Sequence, residues 1–361
     1  MTLVGPVLLV AGARPNFVKV APLLAELDRR GLDAHLVHTG QHYDPAMSDV
    51  FFDELGMRQP DEHLQVGSAS HAVQTARVME AFEPVVERVR PAWIVVVGDV
   101  NSTMACALVA AKSGSPLAHV EAGLRSGDWA MPEEVNRVVT DRVSDLLLAP
   151  SADAVATLRA EGFDDARVRL VGNVMVDSLL ANLDRARQLA PAARLGLTGG
   201  YALLTLHRPS NVDDPNHLAA LLGAVGRLDL PVLYPVHPRA RAAVEATPLP
   251  PNVRAVAAVG YLESIGLQAD ARLVLTDSGG IQEETTVLGI PCLTLRDTTE
   301  RPITVDEGTN EVVGTDPDAV VAAAQRVLAR PPAARHPALW DGRAAERVVD
   351  ALLEVHPRRR P

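Results

Sequence analysis

Three acidic residues stand where proton-transfer chemistry would use them. Asp99 follows the apolar run 93–98, in Gly98-Asp99-Val100-Asn101-Ser102-Thr103. Glu121 closes the run 117–121, in His119-Val120-Glu121-Ala122-Gly123-Leu124-Arg125. Glu133 follows Met131-Pro132 and is itself followed by Glu134-Val135-Asn136-Arg137. Carboxylates gathered in one cleft push some of their number towards a neutral-range pKa, which general acid–base work requires. Plainer readings exist for their neighbours. Asn101, Ser102 and Thr103 suit helix capping, and the macrodipole accounts for one of Glu133 and Glu134. Asp99 and Glu121 are harder to explain that way, because each sits directly at the end of an apolar run.

A second set of residues suits an anion. Thr276-Asp277-Ser278-Gly279-Gly280 leads into a helix: Ser278 can cap it, and Gly279 and Gly280 let backbone N–H groups approach a phosphate. Glu283 and Glu284 follow within a turn; a carboxylate there would repel a diphosphate, so its functional reading is a partner for ribose hydroxyls. His207 and His237 end two other apolar runs, in Leu206-His207-Arg208-Pro209 and Val236-His237-Pro238-Arg239, where an imidazolium could neutralise a phosphate oxygen. Arg301, in Arg296-Asp297-Thr298-Thr299-Glu300-Arg301-Pro302, adds positive charge on that side. Near the N-terminus, Gly12-Ala13-Arg14-Pro15-Asn16-Phe17-Val18-Lys19 places Arg14 and Lys19 at a helix opening; two surface cations on a capped helix is the competing reading.

The elements that would position these groups are short apolar runs alternating with segments of helical period. There are six runs in each half of the chain, the signature of βα units around parallel sheets. The expected architecture is α/β: two doubly wound, Rossmann-like domains, 1–172 and 173–339, with an amphipathic helix at 340–356 crossing back onto the first. Ligands of such sheets bind beyond the carboxyl ends of the strands, so two of them facing each other make an interdomain cleft.

Composition narrows the function. The formal net charge of −11 argues against a general nucleic-acid binder. Cys106 and Cys292 are far apart in apolar segments, and two cysteines build neither a disulfide framework nor a Cys-based metal site. The apolar start 7–10 is too short for a signal peptide or membrane span, which points to a cytoplasmic protein without a membrane partner. The first strand–helix turn is neither G-x-G-x-x-G nor a Walker A loop, which weakens NAD and ATP readings. His38 and His42 have H-x-x-x-H spacing, but a turn separates them, so no metal site is expected.

Taken together and in order, GARPNFVKVAPL, TGQHYDPAMSDVFFDELG, GDVNST, HVEAGLRSGDWAMPEEVNR, VGNVMVD, HRPSNVDDP, YPVHPR, LTDSGGIQEE and RDTTERP resemble the bacterial and archaeal non-hydrolysing UDP-N-acetylglucosamine 2-epimerases over nearly the whole chain. The resemblance implies the two-domain fold shared with many sugar-nucleotide glycosyltransferases (glycosyltransferase-B-like), a homodimer, no NAD and no obligatory metal. It implies substrate-handling roles for Arg14, Lys19, Asp99, Glu121, Glu133, His207, Ser278, Gly279, Gly280, Glu284 and Arg301, with Arg137 and His237 as weaker additions. It also implies the chemistry. Without NAD, C2 of the sugar inverts by loss of its proton as UDP leaves C1, giving 2-acetamidoglucal, and UDP then adds back. Asp99, Glu121 and Glu133 would share the proton transfers while His207 and nearby cations stabilise the departing UDP. Departures exist: His42-Tyr43 and Asp44 differ from the allosteric form, and the loop from Glu121 to Glu133 is short. Alternatives are an epimerase of a related UDP-amino sugar, a hydrolysing epimerase, a glycosyltransferase of the same fold, and a silent UDP-sugar sensor.

Overall fold

In the computed structural model, residues 3–40, 52–197 and 199–355 are described. Gln41-His42-Tyr43-Asp44, the tail Arg358-Arg359-Arg360 and the side chain of Arg14 lie outside that description. The chain divides into two compact units, Met1–Ser178 with Ala338–Pro361, and Leu179–Pro337. The division falls inside one helix, Val174–Gln188.

The first unit is built on a parallel sheet of seven strands: β1 (Val7–Ala11), β2 (Ala34–His38), β3 (Glu62–His63), β4 (Trp93–Val97), β5 (Leu117–Val120), β6 (Leu146–Ala149) and β7 (Val168–Leu170), in spatial order β3-β2-β1-β4-β5-β6-β7. Six of these match the apolar runs. The seventh, β3, is two polar residues bound to β2 and carries no hydrophobic signal. The inner strands read VLLVA and WIVVV and are buried at every position, because helices cover both faces. Those helices are α1 (Arg14–Arg29), α2 (His71–Val89), α3 (Asn101–Ser113), α4 (Pro132–Val143), α5 (Ala152–Ala160) and α6 (Val174–Gln188).

The second unit carries β8 (Ala202–Thr205), β9 (Val232–Val236), β10 (Val253–Ala257), β11 (Leu273–Thr276), β12 (Cys292–Thr294) and β13 (Asn310–Val312), all parallel, in order β10-β9-β8-β11-β12-β13. Its longer helices are α7 (Pro215–Val225), α8 (Tyr261–Ala269), α9 (Gly279–Leu288) and α10 (Pro317–Ala329). The last helix, α11 (Ala344–Glu354), packs with the first unit. Arg30 pairs there with Asp350 at 2.5 Å, the Trp93 indole donates to the Leu352 carbonyl, and Asp177 accepts the first N–H groups of α11, Ala344 and Ala345. Among the described residues no helix is long and apolar enough to cross a membrane.

In each sheet the strand order reverses once, between β1 and β4 and between β8 and β11. At such a switch the flanking connections diverge and leave a crevice at the carboxyl ends. Most of the residues singled out for chemistry follow those four strands and β5; His237 follows β9 and Arg301 follows β12.

Candidate active site

In the first unit the centre is Glu121. It follows β5 directly, with φ +71°, a backbone conformation L residues avoid. It is 4% exposed, and Lys19, 5% exposed, donates to its Oε2 at 2.5 Å. The other oxygen, Oε1, is buried without a hydrogen-bond partner among the described residues. Lys19 is therefore not a surface cation: it sits on the buried side of α1 and is held by a carboxylate. Gly98 explains how the pair fits. Its φ is +67°, and a Cβ there would meet Lys19 Nζ at 2.8 Å and Glu121 Oε2 at 3.4 Å. Asn16 fastens the α1 opening beneath, accepting from the Gly12 and Ala13 N–H groups and donating to the Val97 carbonyl.

Asp99 follows Gly98, with a quarter of its side chain exposed. Arg137 of α4 donates to Asp99 Oδ2 through Nε and Nη2, at 3.0 and 2.7 Å. Arg137 Nη1 reaches Glu134 at 2.6 Å. The two adjacent glutamates of α4 are thus separated by role. Glu134 is buried and accepts from the Ser126 and Gly127 N–H groups and the Ser126 hydroxyl, fixing the loop before the helix. Burial would raise its pKa, but those donors and Arg137 hold it below the ordinary range. Glu133 is half-buried in the first turn of α4.

The capping expected of Asn101, Ser102 and Thr103 is not observed. The N-cap of α3 is Val100, without a side-chain cap. Asn101 donates to Gln74, Ser102 bonds to Thr39 at 2.8 Å, and Thr103 donates to the Val97 carbonyl. These side chains tie neighbouring strand ends together, because α3 enters the core and its first residues face other elements rather than solvent.

The second unit assembles around Asp277, which is fully buried. It accepts N–H groups from His207 and Arg208 and the Asn211 amide, and it pairs with His207 Nδ1 at 2.7 Å. Burial would raise its pKa; the His207 pairing and the backbone donors outweigh that and lower it. With Nδ1 committed, His207 presents Nε2, and its side chain is 39% exposed. The His237 ring lies 5.6 Å from it. His237 Nδ1 accepts from the Arg239 N–H at 3.2 Å.

At the opening of α9, Ser278 occupies the N-cap but makes no side-chain cap bond; instead its N–H donates to Thr276. A Cβ on Gly279 would meet Arg301 Nη1 at 2.3 Å and Glu300 Oε1 at 2.6 Å, so that glycine admits a guanidinium beside the helix start. Gly280 continues the first turn. Arg301 pairs with Glu283 and Glu300, and Arg296 with Glu300. Arg208 reaches Glu300 at 3.6 Å. These pairs gather the guanidiniums of Arg208, Arg296 and Arg301 near the start of α9, and a helix N-terminus favours an anion. Further along α9, Glu284 is buried and accepts from Gln268 at 2.7 Å. Burial, with Glu283 adding to it, pushes its carboxyl up to about 7 against the Gln268 bond.

Sequence reasoning passed over Asp277, His119 and Asp141. Asp277 is an acid at a strand end, the same signal that selected Asp99. Asp141 belongs to a polar stripe on α4, Glu134, Arg137 and Asp141, all buried and three to four residues apart. A polar stripe that turns inward marks a network rather than a solvated face.

A family model described as UDP-N-acetylglucosamine 2-epimerase matches residues 25–353. A UDP-2,3-diacetamido-2,3-dideoxy-D-glucuronate 2-epimerase of Pseudomonas aeruginosa is 40% identical, over 97% of this chain and 99% of that protein. The crystal structure of Methanocaldococcus jannaschii UDP-GlcNAc 2-epimerase in complex with UDP-GlcNAc and UDP is similar at TM-score 0.90 and 37% identity, covering 97% of this chain and 100% of that one. A calicheamicin glycosyltransferase, 18% identical with TM-score 0.57 over 98% of this chain and 100% of its own, shares the fold.

Proposed function

The chain belongs to the UDP-N-acetylglucosamine 2-epimerase family, and from that premise we propose that it interconverts UDP-N-acetylglucosamine and UDP-N-acetylmannosamine. The observation that carries the reading is Glu121: a buried carboxylate on strained backbone, one oxygen on Lys19 and the other unpartnered, beside the Gly98-Asp99 turn. Strain and burial of this kind persist only where the surrounding structure enforces them, and they gather at functional sites.

The C2 hydrogen of the sugar is not beside a carbonyl, so its removal must be coupled to departure of the C1 substituent. A carboxylate takes the C2 proton, the C–H pair becomes the C1=C2 double bond, and the C1–O bond breaks with its electrons leaving on UDP. The resulting 2-acetamidoglucal is protonated at C2 from the other face, and the UDP oxygen returns to C1. Asp99, Glu121 and Glu133 share the two proton transfers. His207, oriented by Asp277, and the Arg301 cluster at the α9 opening stabilise the departing diphosphate. Arg14, Lys19, Arg137, His237, Ser278, Gly279, Gly280 and Glu284 complete the substrate contacts. The N-terminal domain, 1–172 with the C-terminal helix, carries the proton transfers; the domain 173–339 holds UDP. The chain works as a cytoplasmic homodimer.

A second reading keeps the chemistry and changes the sugar to a UDP-2,3-diacetamido uronate, which the Pseudomonas relative at 40% identity favours. Turnover of the two substrates side by side decides between them. The role assignment is tested by Asp99→Asn, Glu121→Gln and Glu133→Gln. Each is expected to lower turnover by roughly 100-fold or more while UDP affinity stays within about twofold. Near-normal turnover in all three overturns it.

A further inference from the structure

Beneath the two strand-end turns that carry Asp99 and Glu121 lies a fully buried hydrogen-bonded pair, His119 and Asp141. His119 Nδ1 meets Asp141 Oδ1 at 2.6 Å, and Nε2 meets the Gly98 carbonyl at 2.9 Å. Asp141 Oδ2 accepts the Gly123 N–H at 3.0 Å and Arg125 Nη2 at 2.7 Å. Arg125 in turn binds Glu161. Burial favours a neutral Asp141, but His119 and Arg125 together hold its carboxyl below the ordinary range. The ring thus bridges the Asp141 carboxylate and the Gly98 carbonyl, one at each nitrogen.

We propose that His119 and Asp141 form a positioning clamp for proton transfer, setting the Gly98-Asp99 turn against the Glu121-Ala122-Gly123 turn. One end of the pair holds the carbonyl immediately before Asp99. The other holds the N–H two residues after Glu121. Gly98 is pinned from both sides, since its N–H also donates to the Val120 carbonyl. Gly123, at φ +86°, has its α-hydrogen side pressed on the Ala154 carbonyl, where a Cβ would come within 2.4 Å. The turn therefore cannot relax towards α5, and Asp141 fixes its remaining freedom. A buried carboxylate and imidazole are a poor way to fill a core, because an apolar pair of the same size would cost less desolvation. They hold in place two backbone groups that no apolar side chain could. Neither residue touches substrate in this account; both act through Asp99 and Glu121. The inference rests on the proton-transfer reading of those two carboxylates.

The test uses the full chain with UDP-N-acetylglucosamine. His119→Gln and Asp141→Asn are each expected to lower kcat by about 10- to 100-fold, the range a displacement of the order of 1 Å produces, with KM and UDP affinity changed less than about threefold. Glu161→Gln, at the outer end of the network, lowers the melting temperature without lowering kcat. When His119→Gln is combined with Glu121→Gln, the losses in kcat do not multiply, because one acts through the other. The clamp is overturned if both variants keep kcat within about threefold of wild type, if their effect multiplies with that of Glu121→Gln, or if neither folds, which would make the pair plain core. Failure of the underlying reading looks different: Asp99→Asn and Glu121→Gln themselves would then retain turnover.

Discussion

The Lys19–Glu121 pair allows structural and chemical roles to be separated in one experiment. Lys19→Met leaves Glu121 as a buried carboxylate without its cation, and Glu121→Gln leaves Lys19 as a buried ammonium without its anion. With exposures of 5% and 4% and a 2.5 Å separation, screening by water is slight. Breaking such a pair from one side costs about 3–5 kcal/mol. The unit that contains it, Met1–Ser178 with Ala338–Pro361, has roughly 200 residues, for which 1 kcal/mol moves Tm by about 2–4 °C. Each single variant should therefore melt about 6–20 °C lower. The double variant, Lys19→Met with Glu121→Gln, buries no charge and should lie within about 2 kcal/mol of wild type. Turnover should behave otherwise: it is lost in Glu121→Gln and stays lost in the double variant. Calorimetry gives the first quantity and the epimerisation rate the second. Additive stability losses, or turnover restored along with stability, would refute the reasoning.

Other outcomes follow from the same geometry. Asp277→Asn removes a charge-assisted bond to His207 worth about 1.5–3 kcal/mol, so kcat should fall by about 10- to 150-fold in a steady-state assay; an unchanged kcat contradicts the orienting role. Glu134→Gln should lower stability by about 1.5–3 kcal/mol through the 126–127 loop, whereas Glu133→Gln should change it by less than about 1 kcal/mol and still abolish turnover. Asp177, 7% exposed, has its carboxyl pushed up to about 6 by burial. Its folded pKa exceeds its unfolded value, so protonation favours the fold. Its cost is complete above pH 6 and relieved as pH falls towards 4. Against Asp177→Asn, wild-type stability in urea should gain up to about 3 kcal/mol across that window; a flat difference contradicts it.

The sequence reveals this fold because its parallel strands are buried on both faces and read as continuous apolar runs. Strand β3, two polar residues that pair with β2 at the sheet edge, has no such run to read. The same logic selects Asp99, Glu121, His207 and Ser278, since each follows a strand at the end where these sheets bind ligands. Partnerships are less accessible. Lys19 meets a residue 102 positions away, and His207 is oriented by one 70 positions away. Residue type alone suggests capping for Ser102 and Thr103 and surface charge for Lys19. Only the packing of α1 and α3 against neighbouring strand ends turns those side chains inward.

The proposal that C2 inverts through proton removal and UDP elimination is tested most directly by exchange with solvent. The chain is incubated in D2O with UDP-N-acetylglucosamine alone, and the sugar is followed by NMR and mass spectrometry. The account predicts deuterium at C2 of both epimers with the sugar still joined to UDP. Epimerisation without deuterium, release of free sugar, or no exchange until an acceptor is added would contradict it.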